Sequence, residues 1–241
     1  MIRLFLALVM FLPTIGCKSA PKQQPLAVPF RVLILGDSIS IGYTPHVQEA
    51  LAGRAIVERP TMAHRTGDST KKGAENCAGT NNGVQHLSRW LAIDGGNWDL
   101  IHFNFGLHDL KRVQPGSGKN SNDATHPYQA SPEVYEAQLR AIAQQLKDTG
   151  ARVIFATTTP VPKGDLRPYR SPEDPLLYNT IARRVMAELD VPVNDLFAFV
   201  ESFSKPILKP ANVHFTSEGS QALAGQVAKR ILSVAGIAAD S

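Results

Sequence analysis

From Phe30 onward, short apolar runs alternate with amphipathic stretches along this chain. Phe30 to Leu35 contains four consecutive aliphatic residues, too short a run for a helix and apolar on both faces, which predicts a buried strand. Ala55 to Arg59, Trp98 to Phe105, Arg152 to Thr157 and Val191 to Val193 predict four more strands. Between these runs the period lengthens to that of a helix. Thr44-Pro45 offers an N-cap and N1 proline for a helix ending near Gly53. Val84, Leu87 and Leu91 mark one face of the next helix. Ser131-Pro132 opens a long one, with Val134, Leu139, Ile142 and Leu146 inward and Gly150 closing it. Leu176 to Leu189 turns Ile181, Val185 and Leu189 inward, and Ser217 to Val234 is the closing helix. Trp90, Trp98, Phe103 and Phe105 fall on positions that belong to the core. This alternation predicts an α/β fold, a flavodoxin-like three-layer sandwich with a five-stranded parallel sheet in the order 2-1-3-4-5. Two irregular insertions, Lys111–Ala130 and Thr158–Pro175, follow strands three and four and are expected to shape a pocket rather than the fold.

The first residues do not share this pattern. Met1-Ile2-Arg3 is a short basic start, and Leu4 to Leu12 is an apolar run too short to span a bilayer. Residues 1–16 therefore read as a secretory signal. Gly16-Cys17 resembles the end of a bacterial lipobox, with Thr14 where an aliphatic residue is usual, which makes Cys17 the expected lipid-bearing residue. Residues 17–29 are rich in Pro, Gln, Lys and Ala and read as a flexible tether, leaving 30–241 for the domain. The protein is thus expected to be exported, as a periplasmic or cell-surface lipoprotein or in secreted form, touching membrane only through that anchor. With Cys17 lipidated, Cys77 is the other cysteine of the chain and is unpaired. The net charge of +4 comes with no dense Lys/Arg run, so the pI near 9.1 gives no case for nucleic acid.

Chemistry collects at the strand ends. In a parallel sheet, ligands bind outside the carboxyl ends of the strands. Gly36-Asp37-Ser38 ends strand one there, and Gly106-Leu107-His108-Asp109 ends strand three. Gly36 permits a tight turn, Asp37 can accept backbone N–H groups, and Ser38 offers a hydroxyl at the rim. A nucleophilic serine needs a base, and His214, in the loop before the last helix, returns to the same rim. Gly36-Asp37-Ser38-Ile39-Ser40 lacks the second glycine of a nucleophile elbow, which disfavours an α/β-hydrolase. Strand one has no Asp-x-His, so a two-metal phosphoesterase lacks part of its ligand set. A surface-anchored binding module is the non-enzymatic alternative.

Together these segments resemble the SGNH (GDSL-type) hydrolases from about Phe30 to Ile237. The resemblance implies a serine esterase acting on small acyl esters, O-acetyl groups on carbohydrates among them, through an acyl-enzyme, with a lipid or thioester acyl hydrolase or a catalytically impaired binding protein as alternatives. It implies no cofactor and no metal, and a monomer with a small-molecule or carbohydrate ester as its partner. Catalysis falls to Ser38 and His214. The oxyanion hole falls to the Ser38 N–H, Gly79 of Asn76-Cys77-Ala78-Gly79-Thr80, and His108. Cys77 and Ala78 are alternative sources of the second N–H. Asp37, Gly106 and Asn104 are supporting residues. In two places the chain departs from the family's pattern. His108 replaces an oxyanion-binding asparagine; a neutral imidazole keeps one N–H donor, and Asn104 is a possible substitute. Ala211 stands where an aspartate orients the histidine, so a backbone carbonyl, Asn212, a displaced acid or nothing at all is left for that role.

Overall fold

The computed structural model describes residues 29–238; the signal, the lipobox and nearly all of the tether lie outside them. Five strands, β1 (Phe30–Leu35), β2 (Ala55–Glu58), β3 (Leu100–Phe103), β4 (Arg152–Ala156) and β5 (Val193–Asn194), form one parallel sheet in the order β2-β1-β3-β4-β5. The flavodoxin-like order read from the sequence is the one observed. Register places Val32 beside Leu100, Leu35 beside Phe103 and Phe103 beside Phe155, so the central strands bury both faces. β1 spans the predicted Phe30–Leu35, while β3 is shorter than the predicted Trp98 to Phe105, with Trp98 and Phe105 buried beyond its ends.

The helices are α1 (Ser38–Ala50), α2 (Met62–Thr66), α3 (Thr80–Leu91), α4 (Pro132–Lys147), α5 (Asp174–Glu188), α6 (Leu196–Glu201) and α7 (Ser217–Ala235). They flank the sheet as α1 against α7 and as the series α3, α4, α5. Three sequence expectations give way here. First, α1 starts six residues before Thr44, because Asp37 caps it by accepting the Ile39 N–H at 2.9 Å. Pro45 therefore lies inside the helix, and Thr44 points its hydroxyl at Ser40 O. Second, Val84 is 53% exposed, because the inward face of α3 is set by Thr80, Gly83, Leu87 and Trp90. Third, Val134 is 44% exposed, since Tyr135 takes the inward place and donates its hydroxyl to Phe105 O at 2.9 Å. The short helices α2 and α6 fall in stretches that carried no helical pattern.

Candidate active site

Three strand ends and one returning loop meet at the switch point between β1 and β3, where an open parallel sheet forms its crevice. Ser38 is the first residue of α1. Its N–H is therefore one of the helix-start donors with no intrahelical partner, at the positive end of the helix dipole. The turn is fixed from below. Arg59, just past β2, is buried and donates to Ser40 Oγ (3.1 Å), Thr44 Oγ1 (3.0 Å), Gly36 O (3.3 Å) and Glu75 O (3.1 Å). Glu75 in turn pairs with Arg89 at 2.6 Å. The Cys77 N–H also donates to Gly36 O, at 3.2 Å. Burial pushes the Asp37 carboxyl up, against the Ile39 N–H and the positive charges of Arg170 and Arg59.

His214 lies 176 residues further along the chain, and its Nε2 accepts from Ser38 Oγ at 2.8 Å. Its loop is pinned by Lys209 N to His214 O (2.8 Å) and by Thr216, which caps α7 through the Gly219 N–H. The other ring nitrogen, Nδ1, donates to Asn212 Oδ1 at 2.7 Å, and the same oxygen accepts the His214 backbone N–H at 2.9 Å. The ring is thereby held in the tautomer that leaves Nε2 free as an acceptor. Ala211 adopts a left-handed conformation (φ 46°) and lines the cleft beside Ser38. Asp195 is directed elsewhere: it caps α6, accepts from Thr157 Oγ1 at 3.0 Å and pairs with Arg183 at 2.5 Å.

The β3 end carries the remaining residues. Gly106 has a φ of 154°, and a Cβ there would run into Thr158 Oγ1, so the chain can turn at this point only with glycine. His108 lines the cleft next to Ser38, and burial, aided by Lys111, Arg170 and His214, pulls its pKa down to about 3. The ring is neutral at physiological pH. Asp109 reaches back to the second loop, accepting Thr80 N–H at 2.7 Å and Thr80 Oγ1 at 2.6 Å, and burial raises it to about 6. Gly79 is the N-cap of α3 and is itself buried; a Cβ there would meet the Asp109 carboxylate at 2.7 Å. The cleft-lining residue from that loop is Asn76; Gly79 is not among the residues that line the cleft. Asn104 donates its Nδ2 to Ala156 O at 2.8 Å and lies in a small separate hollow with Thr157 and Thr158. Asn179 holds the β4 end by two hydrogen bonds to Thr158, its Oδ1 accepting from the backbone N–H and its Nδ2 donating to the carbonyl, both at 2.8 Å.

Ser38 and His214 stand where two clefts meet, each of about 400 Å³. Both insertions contribute to one of them: Lys111 and Asn120 from the first, Leu166, Arg167 and Arg170 from the second. The other runs past Gly42, His46 and Lys209. Sequence reading missed Asn76, Arg59, Lys111 and Arg170. An arginine at the end of an apolar strand, as Arg59 is, was the one available signal.

This fold and rim define an SGNH hydrolase. The chain belongs to the GDSL-like lipase/acylhydrolase family, whose model matches residues 34–222. Among solved structures it is similar to a lipase/acylhydrolase from Enterococcus faecalis (18% identity, 85% of this chain and 96% of that one, TM-score 0.63). It is also similar to the acetyl xylan esterase AlAXEase (16% identity, 84% and 100%, TM-score 0.60). A third likeness is to an aryl esterase from M. smegmatis (15% identity, 85% and 99%, TM-score 0.61). No curated protein matches the chain.

Proposed function

We propose that the protein is a serine esterase that cleaves small acyl esters, O-acetyl groups on carbohydrates included, through a covalent acyl-enzyme. The observation that carries this is the relay Ser38 Oγ to His214 Nε2 at 2.8 Å and His214 Nδ1 to Asn212 Oδ1 at 2.7 Å. Ser38 Oγ attacks the ester carbon while its proton passes to Nε2. Negative charge develops on the carbonyl oxygen, which the Ser38 N–H, the neutral His108 ring and the Gly79 N–H of the family pattern would receive. Collapse expels the alcohol, which takes the proton from Nε2. Water then attacks the acyl carbon as its proton passes to Nε2; collapse breaks the bond to Ser38 Oγ, which takes that proton back, and releases the acid. The likenesses to an acetyl xylan esterase and an aryl esterase support an ester substrate.

The test is a fluorophosphonate label with mapping of the modified residue, alongside hydrolysis of 4-nitrophenyl acetate. The label should sit on Ser38, and Ser38→Ala or His214→Ala should lower kcat by roughly 10³-fold or more, with EDTA without effect. Hydrolysis that survives Ser38→Ala overturns the reading.

The proposal extends to location. Residues 1–16 would direct export and Cys17 would carry the lipid, placing the domain outside the cytoplasm on the 17–29 tether. Mass spectrometry of the membrane fraction should find acylated Cys17, and Cys17→Ser should free the protein from membranes. An unmodified N-terminus between Lys18 and Ala27 would refute it.

A further inference from the structure

The cleft shared by Ser38 and His108 has a cationic wall. Lys111, Arg167 and Arg170 line it, and among the described residues that line it there is no carboxylate. Lys111 and Arg170 are 9% and 8% exposed, far below what is usual for such side chains. Arg170 Nε donates to Leu107 O at 2.9 Å and Nη1 to Pro168 O at 3.4 Å, which fixes the guanidinium and leaves Nη2 without a partner. Lys111 Nζ has none either, and neither cation forms an ion pair among the described residues.

Two carboxylates stand behind this wall and partly support its charges, Asp109 that of Lys111 and Asp37 that of Arg170, but neither forms an ion pair with them. Asp37 accepts the Ile39 N–H, and Asp109 accepts Thr80 N–H and Oγ1. Burial and the neighbouring Arg170 charge lower the Lys111 pKa, against the Asp109 charge, which raises it. Burial likewise takes Arg170 down to about 10, against the Asp37 charge. Two desolvated cations held beside each other, with no carboxylate in hydrogen-bond contact with either, carry a cost that a ligand anion would lower. Oxyanions bind such donors through charge-assisted hydrogen bonds.

We propose that this wall binds an oxyanion group of the substrate, a carboxylate or a phosphate, so that the ester this enzyme takes is negatively charged near the scissile bond. The inference rests on the esterase reading for its catalytic half and on the cationic wall alone for its binding half.

Matched ester pairs test the first half. One pair carries the anion on the alcohol (4-acetoxybenzoate against its methyl ester) and one on the acyl group (4-nitrophenyl hydrogen adipate against 4-nitrophenyl hexanoate). In at least one pair the anion should have the higher kcat/KM, by about 10-fold. That preference should weaken with added salt and collapse in Lys111→Met. 4-Acetoxyphenyl phosphate beside 4-acetoxybenzoate separates phosphate from carboxylate. Neutral esters favoured in both pairs, or a preference untouched by Lys111→Met, overturns the proposal.

The second half needs no turnover. Calorimetry of the full-length Ser38→Ala protein should show saturable binding of succinate or of inorganic phosphate, abolished by Lys111→Met. Failure of both anions to bind overturns the proposal whatever the enzyme hydrolyses. Binding in a protein that cleaves no ester would overturn the esterase reading instead.

Discussion

Asn212 meets both the backbone N–H and the ring Nδ1 of His214 through one oxygen, so it fixes the tautomer of the imidazole without bringing a charge. A carboxylate would do both, stabilising the imidazolium as it forms. Replacing Asn212 by alanine should therefore cost kcat roughly 10²-fold, part of the up to 10⁴-fold an orienting group can supply. Asn212→Asp should raise kcat/KM above wild type, measured on the same activated ester. It should do so more than Ala211→Asp, because Nδ1 is already occupied when a carboxylate is added at 211. At His108 the neutral ring is the donor to remove: His108→Ala should lower kcat with KM little changed, by about 2–4 kcal/mol in activation free energy, and His108→Asn should recover much of it.

Among the elements, the turn between β1 and α1 depends on a residue from outside both. Arg59 satisfies two backbone carbonyls and two hydroxyls from one buried guanidinium. Arg59→Met removes the donor from Glu75 O and from the Ser40 and Thr44 hydroxyl oxygens and leaves Gly36 O with the Cys77 N–H alone, and the urea midpoint should fall by the equivalent of about 3 kcal/mol, with kcat reduced as Ser38 loses its fixed position. The elements that were legible in sequence are those with one dominant signal. β1 shows four aliphatics in a row, and α7 has Thr216 and Ser217 ahead of a long periodic stretch. Those misread had two competing signals. Thr44-Pro45 has the form of a helix start, but Asp37 supplies an earlier cap, and Val84 and Val134 are apolar residues turned outward by Trp90 and Tyr135. The positions of Ser38 and His214 could be read because a strand end and a loop before a helix both return to one rim. Lys111 and Arg170 could not, because an isolated basic residue carries no periodic mark and only tertiary packing buries it.

For the whole molecule, acid tolerance is set by buried groups that pull in opposite directions. Burial lowers His102 to about 3, while its Nε2 accepts from Asn194 Nδ2 at 3.2 Å. Between about pH 6.5 and about pH 3 the unfolded chain binds this proton and the folded chain does not, so His102 lowers stability as pH falls, by about 1.4 kcal/mol per pH unit. Asp109, raised to about 6, is protonated first in the folded state and offsets part of this on the way down to its unfolded value. Comparing His102→Gln with wild type isolates the histidine. The variant's stability relative to wild type should climb steadily from pH 6.5 to 4 in denaturant titrations, and a difference independent of pH would contradict the assignment.

Cys77 sits directly beneath the nucleophile turn, wholly inaccessible, with its thiol pushed up to about 12. In the closed molecule the sulfur is neither ionised nor reachable, which makes it silent toward maleimides at neutral pH. The moment the segment carrying its N–H lifts off Gly36, the thiol meets solvent and reacts. In protein whose Cys17 is replaced, the alkylation rate is therefore a stopwatch on the breathing of the ground on which Ser38 stands.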